Sequence, residues 1–205
     1  TNIMTESPDT TCSIFQELDR TEVFPYTFQE YARRSAWEWV QRLFIRSSPR
    51  RAHSWRRFWL RRFGASMTPT SGTKSTTHIK HPWLLTMGRH SMISDGATIY
   101  NLGPVTIGDH TVISQDVYVC AGTHDYTRSN LPLLRPPIAI GSGVWICAGA
   151  FIGPGVTISD NSIVGARAVV MKDVPPGVVV AGNPAKVVKA RIMQTGTASE
   201  VRGNL

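Results

Sequence analysis

From residue 87 to residue 170, an aliphatic residue followed by a small or polar one returns at every sixth position of the repeated units. The positions in register are Met87, Ile93, Ile99, Ile107, Ile113, Val119, Ile140, Ile146, Ile152, Ile158, Val164 and Val170. Three units of six residues, each a short strand and a tight turn, close a triangular coil that stacks on the next at roughly 4.8 Å. A helix would need an apolar period near 3.6 residues, which this stretch lacks. The pattern predicts an all-β fold, a parallel β-helix of about four coils.

The repeat is interrupted twice. Two extra residues fall within residues 101–104, which predicts a bulged corner. The longer break, residues 125–137, contains Pro132, Pro136 and Pro137, which cannot supply the backbone N–H groups that each rung needs. This segment is therefore predicted to leave the coil as a loop, and loops on a rigid solenoid are natural places for a binding site.

Charge is concentrated in residues 31–63, which hold ten arginines and one acid, a net charge of +9 against +8 for the whole chain. Four tryptophans occupy spacings compatible with two amphipathic helices. The helices could cap an open end of the β-helix, adsorb to an anionic membrane, or bind nucleic acid, although no nucleic-acid module accompanies them. We expect a mixed outcome in which Trp55 and Trp59 pack on the coil and Trp37 and Trp39 stay exposed.

The remaining composition is that of an ordinary globular protein of 205 residues with 41% apolar content. The three cysteines fit neither a disulfide framework nor a zinc site, so a reducing compartment is expected. The first thirty residues lack the layout of a secretory signal, and no run of eighteen apolar residues occurs. The expected location is the cytoplasm, with a peripheral membrane contact through residues 31–63 as an open alternative.

These patterns divide the chain into five segments. They are a flexible or surface-draped amino terminus (1–26), a basic helical segment (27–64), a β-helical catalytic domain (65–176), a closing segment (177–193) and a flexible tail (194–205).

Residues 105–125, 140–146 and 152–158 resemble the left-handed β-helix acetyltransferases, and residues 170–176 and 181–186 are similar to that family's usual ending. The basic amino-terminal segment and the corner at residues 100–104 look most like the acetyltransferases of colanic-acid and other exopolysaccharide pathways. The resemblance implies left-handed winding, where the general preference for right-handed crossovers would predict the opposite. It also implies a homotrimer with clefts between adjacent β-helices, acetyl-CoA as co-substrate and no metal.

His124 is the leading catalytic candidate, because it ends a rung at the point where the chain leaves the coil. The resemblance implies that it is the general base that takes the proton of a sugar hydroxyl. By similarity, the amide of Ala148 stabilises the oxyanion of the tetrahedral intermediate. Trp145 is either a wall of the acetyl-CoA cleft or a packing residue.

Four further positions are assigned to acetyl-CoA by similarity. Gly165 and Ala166 correspond to positions where the pantetheine arm lies along the backbone, although glycine also suits any tight coil turn. Lys172 and Lys186 are placed like family residues near the nucleotide phosphates, and solvated surface lysines are the equal alternative.

The acceptor-contacting asparagine and aspartate of the galactoside acetyltransferases fall on Ser94 and Leu102, so a simple galactoside is not the expected acceptor. Ser94, Asp95 and Asn101 are candidate acceptor-binding residues, and the last two also suit turn positions. The expected activity is transfer of acetyl from acetyl-CoA to a sugar hydroxyl. The alternatives are a γ-type carbonic anhydrase, which holds zinc with three histidines, and a non-catalytic β-helix that binds a partner.

Overall fold

The computed structural model describes residues 26–193, and the predictions for residues 1–25 and 194–205 lie outside the described part of the chain. Helix α1 (Phe28–Val40) begins with a capping box in which Thr27 and Glu30 bond each other's backbone N–H groups. It continues as a π-helical segment, Gln41–Ile45, and helix α2 (His53–Arg62) follows. A short 3-10 helix, Pro82–Leu84, precedes the second coil.

The strands stack as five complete coils of three strands each and the start of a sixth. The first face consists of β1 (Ser66–Met67), β4 (Leu85–Met87), β7 (Val105–Ile107), β12 (Ile138–Ile140) and β15 (Thr157–Ile158). The second face consists of β2 (Gly72–Thr73), β5 (Met92–Ile93), β8 (Val112–Ile113), β13 (Trp145–Ile146), β16 (Ile163–Val164), β18 (Val178–Ala181) and β19 (Lys186–Ala190). The third face consists of β3 (His78–Ile79), β6 (Thr98–Tyr100), β9 (Tyr118–Cys120), β14 (Phe151–Ile152) and β17 (Val169–Val170).

All pairings between coils are parallel and in register, and β19 alone in these faces runs antiparallel, beside β18. The fold is a left-handed parallel β-helix, which confirms the predicted fold class. The twelve repeat positions are each at most 2% exposed, so the six-residue period marks the interior of the coil.

The predicted number of about four coils is too low. The structure adds a first coil whose inward positions are Met67, Thr73 and Ile79, all buried. Because this coil places a polar residue, Thr73, at an inward position, it does not show the aliphatic period that marks the later coils. The backbone carbonyl of Thr73 lies against α2 and accepts a hydrogen bond from Arg56.

The basic helices cover the amino-terminal end of the coil. Carbonyl groups of the first coil have no preceding rung to pair with, and helix side chains donate to them instead. The donors and acceptors are Arg61 Nε to Met67 O at 2.8 Å, Arg57 Nη1 to Ser71 O at 2.8 Å, Arg56 Nε to Thr73 O at 2.8 Å and Trp37 Nε1 to Ile79 O at 2.7 Å. Three of the ten arginines in residues 31–63 therefore close the end of the β-helix.

Arg56 is fully buried, and all of its N–H donors have partners. Besides Thr73 O, they bond Ser48 Oγ, Pro49 O, Arg50 O and the ring nitrogen Nδ1 of His53. Burial lowers the pKa of this guanidinium below its ordinary value. Neutral oxygens and one imidazole nitrogen therefore compensate this buried cation, in a network that fixes α2 on the first coil.

The expectation for the tryptophans is wrong at two of four positions. Trp37 is 1% exposed and belongs to the core, whereas Trp55 is 43% exposed. Trp37 lies on the buried stripe of its helix, four residues before Gln41 and eight before Ile45. Trp39 is exposed and Trp59 is partly buried, as expected. No helix within residues 26–193 has the length and apolar character needed to cross a bilayer.

Candidate active site

His124 lies at the base of the long loop. After β9 the chain leaves the third face, and strand β10 (Thr123–His124) pairs antiparallel with β11 (Leu133–Leu134). The Asp125 N–H donates to Pro132 O at 3.0 Å, which closes the hairpin base. The loop therefore leaves the edge between the third face and the first face of the next coil, which we call the third edge.

The imidazole of His124 is exposed and held from one side. Its Nδ1 lies 2.6 Å from the carbonyl oxygen of Leu131. Since a carbonyl only accepts hydrogen bonds, Nδ1 carries the proton, and the lone pair of the neutral ring is on Nε2. Leu131 has a φ of +42°, a left-handed conformation that a leucine rarely adopts and that is often found at functional sites. This backbone geometry gives His124 the tautomer that a general base needs.

Leu102 and Asn101 occupy the same edge one coil earlier. Leu102 is 5% exposed and packs beneath Gly122, where a Cβ atom would lie 2.9 Å from Leu102 Cδ1. Asn101 is fully buried, and its side chain accepts from His81 N at 2.9 Å and donates to His81 O at 2.6 Å. The candidate role of Asn101 in acceptor binding therefore does not fit the structure, because both polar atoms of its amide already bond the backbone of His81.

Ala148 lies at the corner between the second and third faces in the fourth coil, which we call the second edge. It is exposed, and its carbonyl accepts from Arg167 N at 2.9 Å. Its own N–H has no hydrogen-bond partner among residues 26–193. A free N–H on a rigid turn is the arrangement expected of an oxyanion donor.

Four other acetyl-CoA candidates lie on this second edge or beside it. Gly165 and Ala166 form the corner of the fifth coil, and a Cβ at Gly165 would lie 2.9 Å from Ala181 Cβ, so the glycine has a packing role as well. Lys186 is exposed and pairs in register with Ala181. Trp145, on the second face, is 48% exposed and donates to Ser114 Oγ at 3.0 Å.

The remaining candidates divide between the two edges. Ser94 and Asp95 lie on the second edge in the second coil, where Asp95 Oδ1 accepts from Thr76 Oγ1 at 2.8 Å and Ser94 N donates to Ile113 O. Both residues are partly buried and shape the turn. Lys172 is exposed and lies on the third edge, in the fifth coil.

A single chain does not bring His124 and Ala148 together. The strands of the third face run from the second edge to the third, and about six residues at 3.3 Å each separate the edges by roughly 15 Å or more. General base and oxyanion donor act on the same reacting atoms, so they must lie within a few ångströms of one another. A site that used both residues would need the second edge of one chain to face the third edge of another.

An aromatic strip that was not predicted from the sequence lies on the third face between these edges. The ring centroids of Tyr100 and Tyr118 are 6.1 Å apart, and those of Tyr118 and Phe151 are 5.8 Å apart. Burial raises the pKa of the Tyr118 hydroxyl and of the Cys120 and Cys147 thiols. The thiols are therefore less reactive than free cysteine, which fits packing. Outward aromatic residues at one strand position of successive coils are the signal that could have revealed the strip.

Within residues 26–193, no group of three or more His, Cys, Asp or Glu side chains could hold a metal ion. His110 lies on the edge between the first and second faces, where its ring stacks on His90 with centroids 4.9 Å apart. It is therefore on a different edge from His124.

The chain is similar in sequence to known acetyltransferases. No protein-family model matches the chain. A candidate colanic acid biosynthesis acetyltransferase of Escherichia coli, WcaF, is 40% identical over 156 residues, which cover 76% of this chain and 86% of that protein. The galactoside O-acetyltransferase of Escherichia coli is 41% identical over 106 residues, covering 50% of this chain and 52% of that one.

Solved structures with the same fold contain coenzyme A. A galactoside acetyltransferase in complex with coenzyme A superposes with a TM-score of 0.76 at 27% identity, covering 85% of this chain and 90% of that one. A hexapeptide-repeat acetyltransferase of Vibrio cholerae in complex with acetyl coenzyme A superposes with a TM-score of 0.74 at 28% identity, covering 86% of this chain and 96% of that one. These comparisons give no support to the carbonic anhydrase alternative. The chain belongs to the hexapeptide-repeat acetyltransferases, a family of acyltransferases built on the left-handed β-helix.

Proposed function

We propose that this protein transfers acetyl from acetyl-CoA to a hydroxyl group of a sugar in exopolysaccharide biosynthesis, in a colanic-acid-like pathway. The observation that carries the proposal is the His124 ring, whose Nδ1 is bonded to Leu131 O and whose Nε2 has no hydrogen-bond partner among residues 26–193. Identity of 40% across 86% of a colanic acid relative supports the substrate class. The galactoside-type polar contacts are absent at Ser94 and Leu102, which argues against a simple galactoside.

In the proposed reaction, Nε2 of His124 takes the proton of the acceptor hydroxyl as its oxygen attacks the thioester carbonyl. The carbonyl oxygen becomes an oxyanion, and the free N–H of Ala148 donates to it. Collapse of this intermediate breaks the carbon–sulfur bond, and the leaving thiolate takes the proton from the imidazolium. The thioester supplies the free energy, so the chemistry needs neither a metal nor a covalent enzyme intermediate.

The remaining acetyl-CoA contacts are assigned by position. Gly165 and Ala166 would lie along the pantetheine arm, and Lys186, on the same second edge, would bind a phosphate of the nucleotide. Trp145 would form a wall of the cleft beside Ala148. Lys172, on the third edge, would reach the nucleotide from a neighbouring chain.

The proposal includes a homotrimer, because the two halves of the site lie on different edges of one chain. Outward residues of the second face support such an assembly, since Val112 and Trp145 are 39% and 48% exposed. Light scattering on the purified protein should report three chains. A monomer with full activity would contradict this assembly.

The proposal also includes a contact between the helices and an anionic membrane from the cytoplasmic side. Leu43, Phe44, Trp55 and Phe58 are between 41% and 55% exposed, and Trp39 is 60% exposed. Arginines beside such an apolar surface favour anionic lipid headgroups. Co-sedimentation with anionic vesicles at low salt should be lost when Trp39 and Phe58 are replaced by alanine, with the melting temperature unchanged.

The transferase proposal is tested by acetyl-CoA turnover with a panel of nucleotide sugars and polysaccharide fragments. His124→Ala should keep the fold and acetyl-CoA affinity and lower kcat by about 10²- to 10⁴-fold, the range for a lost general base. Retention of more than a tenth of the wild-type kcat would exclude the assigned role.

A further inference from the structure

A cavity of about 840 Å³ lies between the π-helical segment and the first two coils. Its volume falls within the range of small-molecule sites. The residues of its lining that matter here are Arg42, Arg46, Ser75, Thr76, His78 and Thr98. It belongs to none of the positions assigned above to acetyl-CoA.

The two arginines of this cavity have no partner in the described part of the chain, in contrast to those that close the coil. The side chains of Arg42 and Arg46 make no hydrogen bond or ion pair with any residue in the range 26–193. The acid in the lining, Glu38, is already paired with Lys80 at 2.9 Å. Arg42 and Arg46 therefore have no acidic partner within residues 26–193, and the nearby carboxylate of Asp95 accepts a hydrogen bond from Thr76.

The spacing of the arginines suits one anion. Arg42 and Arg46 are four residues apart on one helical surface, so both guanidinium groups reach the same cavity. A guanidinium presents parallel N–H donors that match phosphate oxygens, and the hydroxyl groups of Ser75 and Thr98 are also free among the described residues. A neutral saccharide offers nothing that would neutralise two cations.

The cavity shares an edge with Ala148. Ser75 and Thr76 form the second edge of the first coil, and Gly96 N bonds Thr76 Oγ1 at 3.0 Å from the second coil. Ala148 lies on this edge in the fourth coil, and at roughly 4.8 Å per coil the separation is about 10 to 14 Å. Gly165 and Ala166 lie on the opposite side of Ala148, in the fifth coil. The cavity thus faces the acetyl-transfer point from the acceptor side.

We infer that Arg42 and Arg46 bind the phosphate or diphosphate group of a phosphorylated saccharide acceptor, whose sugar extends along the second edge to Ala148. This inference rests on the proposed transferase function and narrows its substrate class. The diphosphate could come from a nucleotide sugar or from a lipid-linked saccharide, since both present the same oxygens to the arginines.

Direct binding tests the site without any transferase activity. Calorimetry with inorganic pyrophosphate and with a nucleoside diphosphate should show binding to wild-type protein. The double variant Arg42→Ala/Arg46→Ala should raise Kd by about tenfold or more, because each lost hydrogen bond between charged groups weakens binding by at least that order. Arg46→Ala alone should weaken binding more than Arg50→Ala, which removes the same charge from a side chain outside the cavity.

Equal weakening by Arg46→Ala and Arg50→Ala would overturn the site, because it would indicate diffuse electrostatics. Absence of pyrophosphate binding at millimolar concentration would overturn it too. Loss of acetyl-CoA binding in the double variant would assign the arginines to coenzyme A and likewise overturn it.

Kinetics then test the substrate class. The free saccharide is compared with the same saccharide carrying a diphosphate. In one arm of the experiment that diphosphate links the sugar to a nucleoside, and in the other arm it links the sugar to a short polyprenyl chain. The diphosphate should lower the acceptor KM in wild type, and the double variant should lose that preference while keeping kcat at saturating acceptor. The arm with the lower acceptor KM identifies whether the natural diphosphate belongs to a nucleotide sugar or to a lipid-linked saccharide. Equal kcat/KM for acceptors with and without phosphate would refute the inference and leave the proposed transferase function standing. Arginine-dependent pyrophosphate binding without turnover of any acceptor would support the site and count against that function.

Discussion

The position of the His124 ring depends on a single backbone carbonyl, and this dependence can be tested at Leu131. Leu131 holds a φ of +42°, and its N–H donates to Arg128 O at 3.1 Å. Proline fixes φ near −65° and has no N–H, so Leu131→Pro must move the carbonyl away from His124 Nδ1. Leu131→Gly is the matched control, because glycine adopts positive φ without strain and keeps the N–H.

The expected loss in kcat follows from two contributions. A net hydrogen bond of about 0.5–1.5 kcal/mol corresponds to roughly 2- to 13-fold. Misplacement of the ring by about 1 Å can cost as much as 100-fold. We therefore expect Leu131→Pro to lower kcat by about 10- to 100-fold, with the KM for acetyl-CoA unchanged, and Leu131→Gly to stay within about threefold of wild type.

Steady-state kinetics with a double-mutant cycle separates positioning from general damage. In a His124→Ala background, Leu131→Pro should have no further effect on kcat, since the group that it positions is gone. Circular dichroism should show that both variants keep the β-helix. An equal loss in the His124→Ala background, or equal losses for the proline and glycine variants, would refute the argument.

Three further predictions concern stability. In denaturant titrations, Trp37→Ala should lower the free energy of unfolding by about 3–5 kcal/mol, because Trp37 is buried. Trp39→Ala, at an exposed position, should lower it by no more than about 0.5 kcal/mol. Equal effects of the two variants would contradict the assigned burial. Arg56→Met leaves several buried carbonyls unpaired and should cost about 3 kcal/mol, whereas Arg62→Met, at an exposed position, should be nearly neutral. Burial lowers the pKa of His81 to about 4, so between about pH 6.5 and 4 the unfolded chain binds a proton that the folded chain does not. The melting temperature should therefore fall as pH falls through that window, and less steeply in His81→Asn; an unchanged slope would contradict the assignment.

The sequence determined the architecture because each coil is a local pattern. A strand and a turn fit into six residues, and a buried aliphatic residue at each repeat is enough to predict a stacked coil. The prolines in residues 125–137 predicted the loop, since they cannot enter a ladder. The prediction of His124 as the catalytic residue rested on its place at the exit from the coil together with the family resemblance. The first coil was missed because Thr73 replaces an aliphatic residue at an inward position, which interrupts the period there.

The tertiary structure decided which residues share an edge. Stacking brings Thr76 into line with Ala148, 72 residues later, and places His124 on a different edge, although it is only 24 residues from Ala148. The lengths of the loops between strands set that alignment, and the hydrophobic period does not reveal them. The tautomer of His124 depends on the backbone carbonyl of Leu131, and a leucine in the sequence does not indicate that its backbone adopts a positive φ. Sequence patterns report burial, which is local, whereas a catalytic site depends on distances between residues that only the stacked coils bring together.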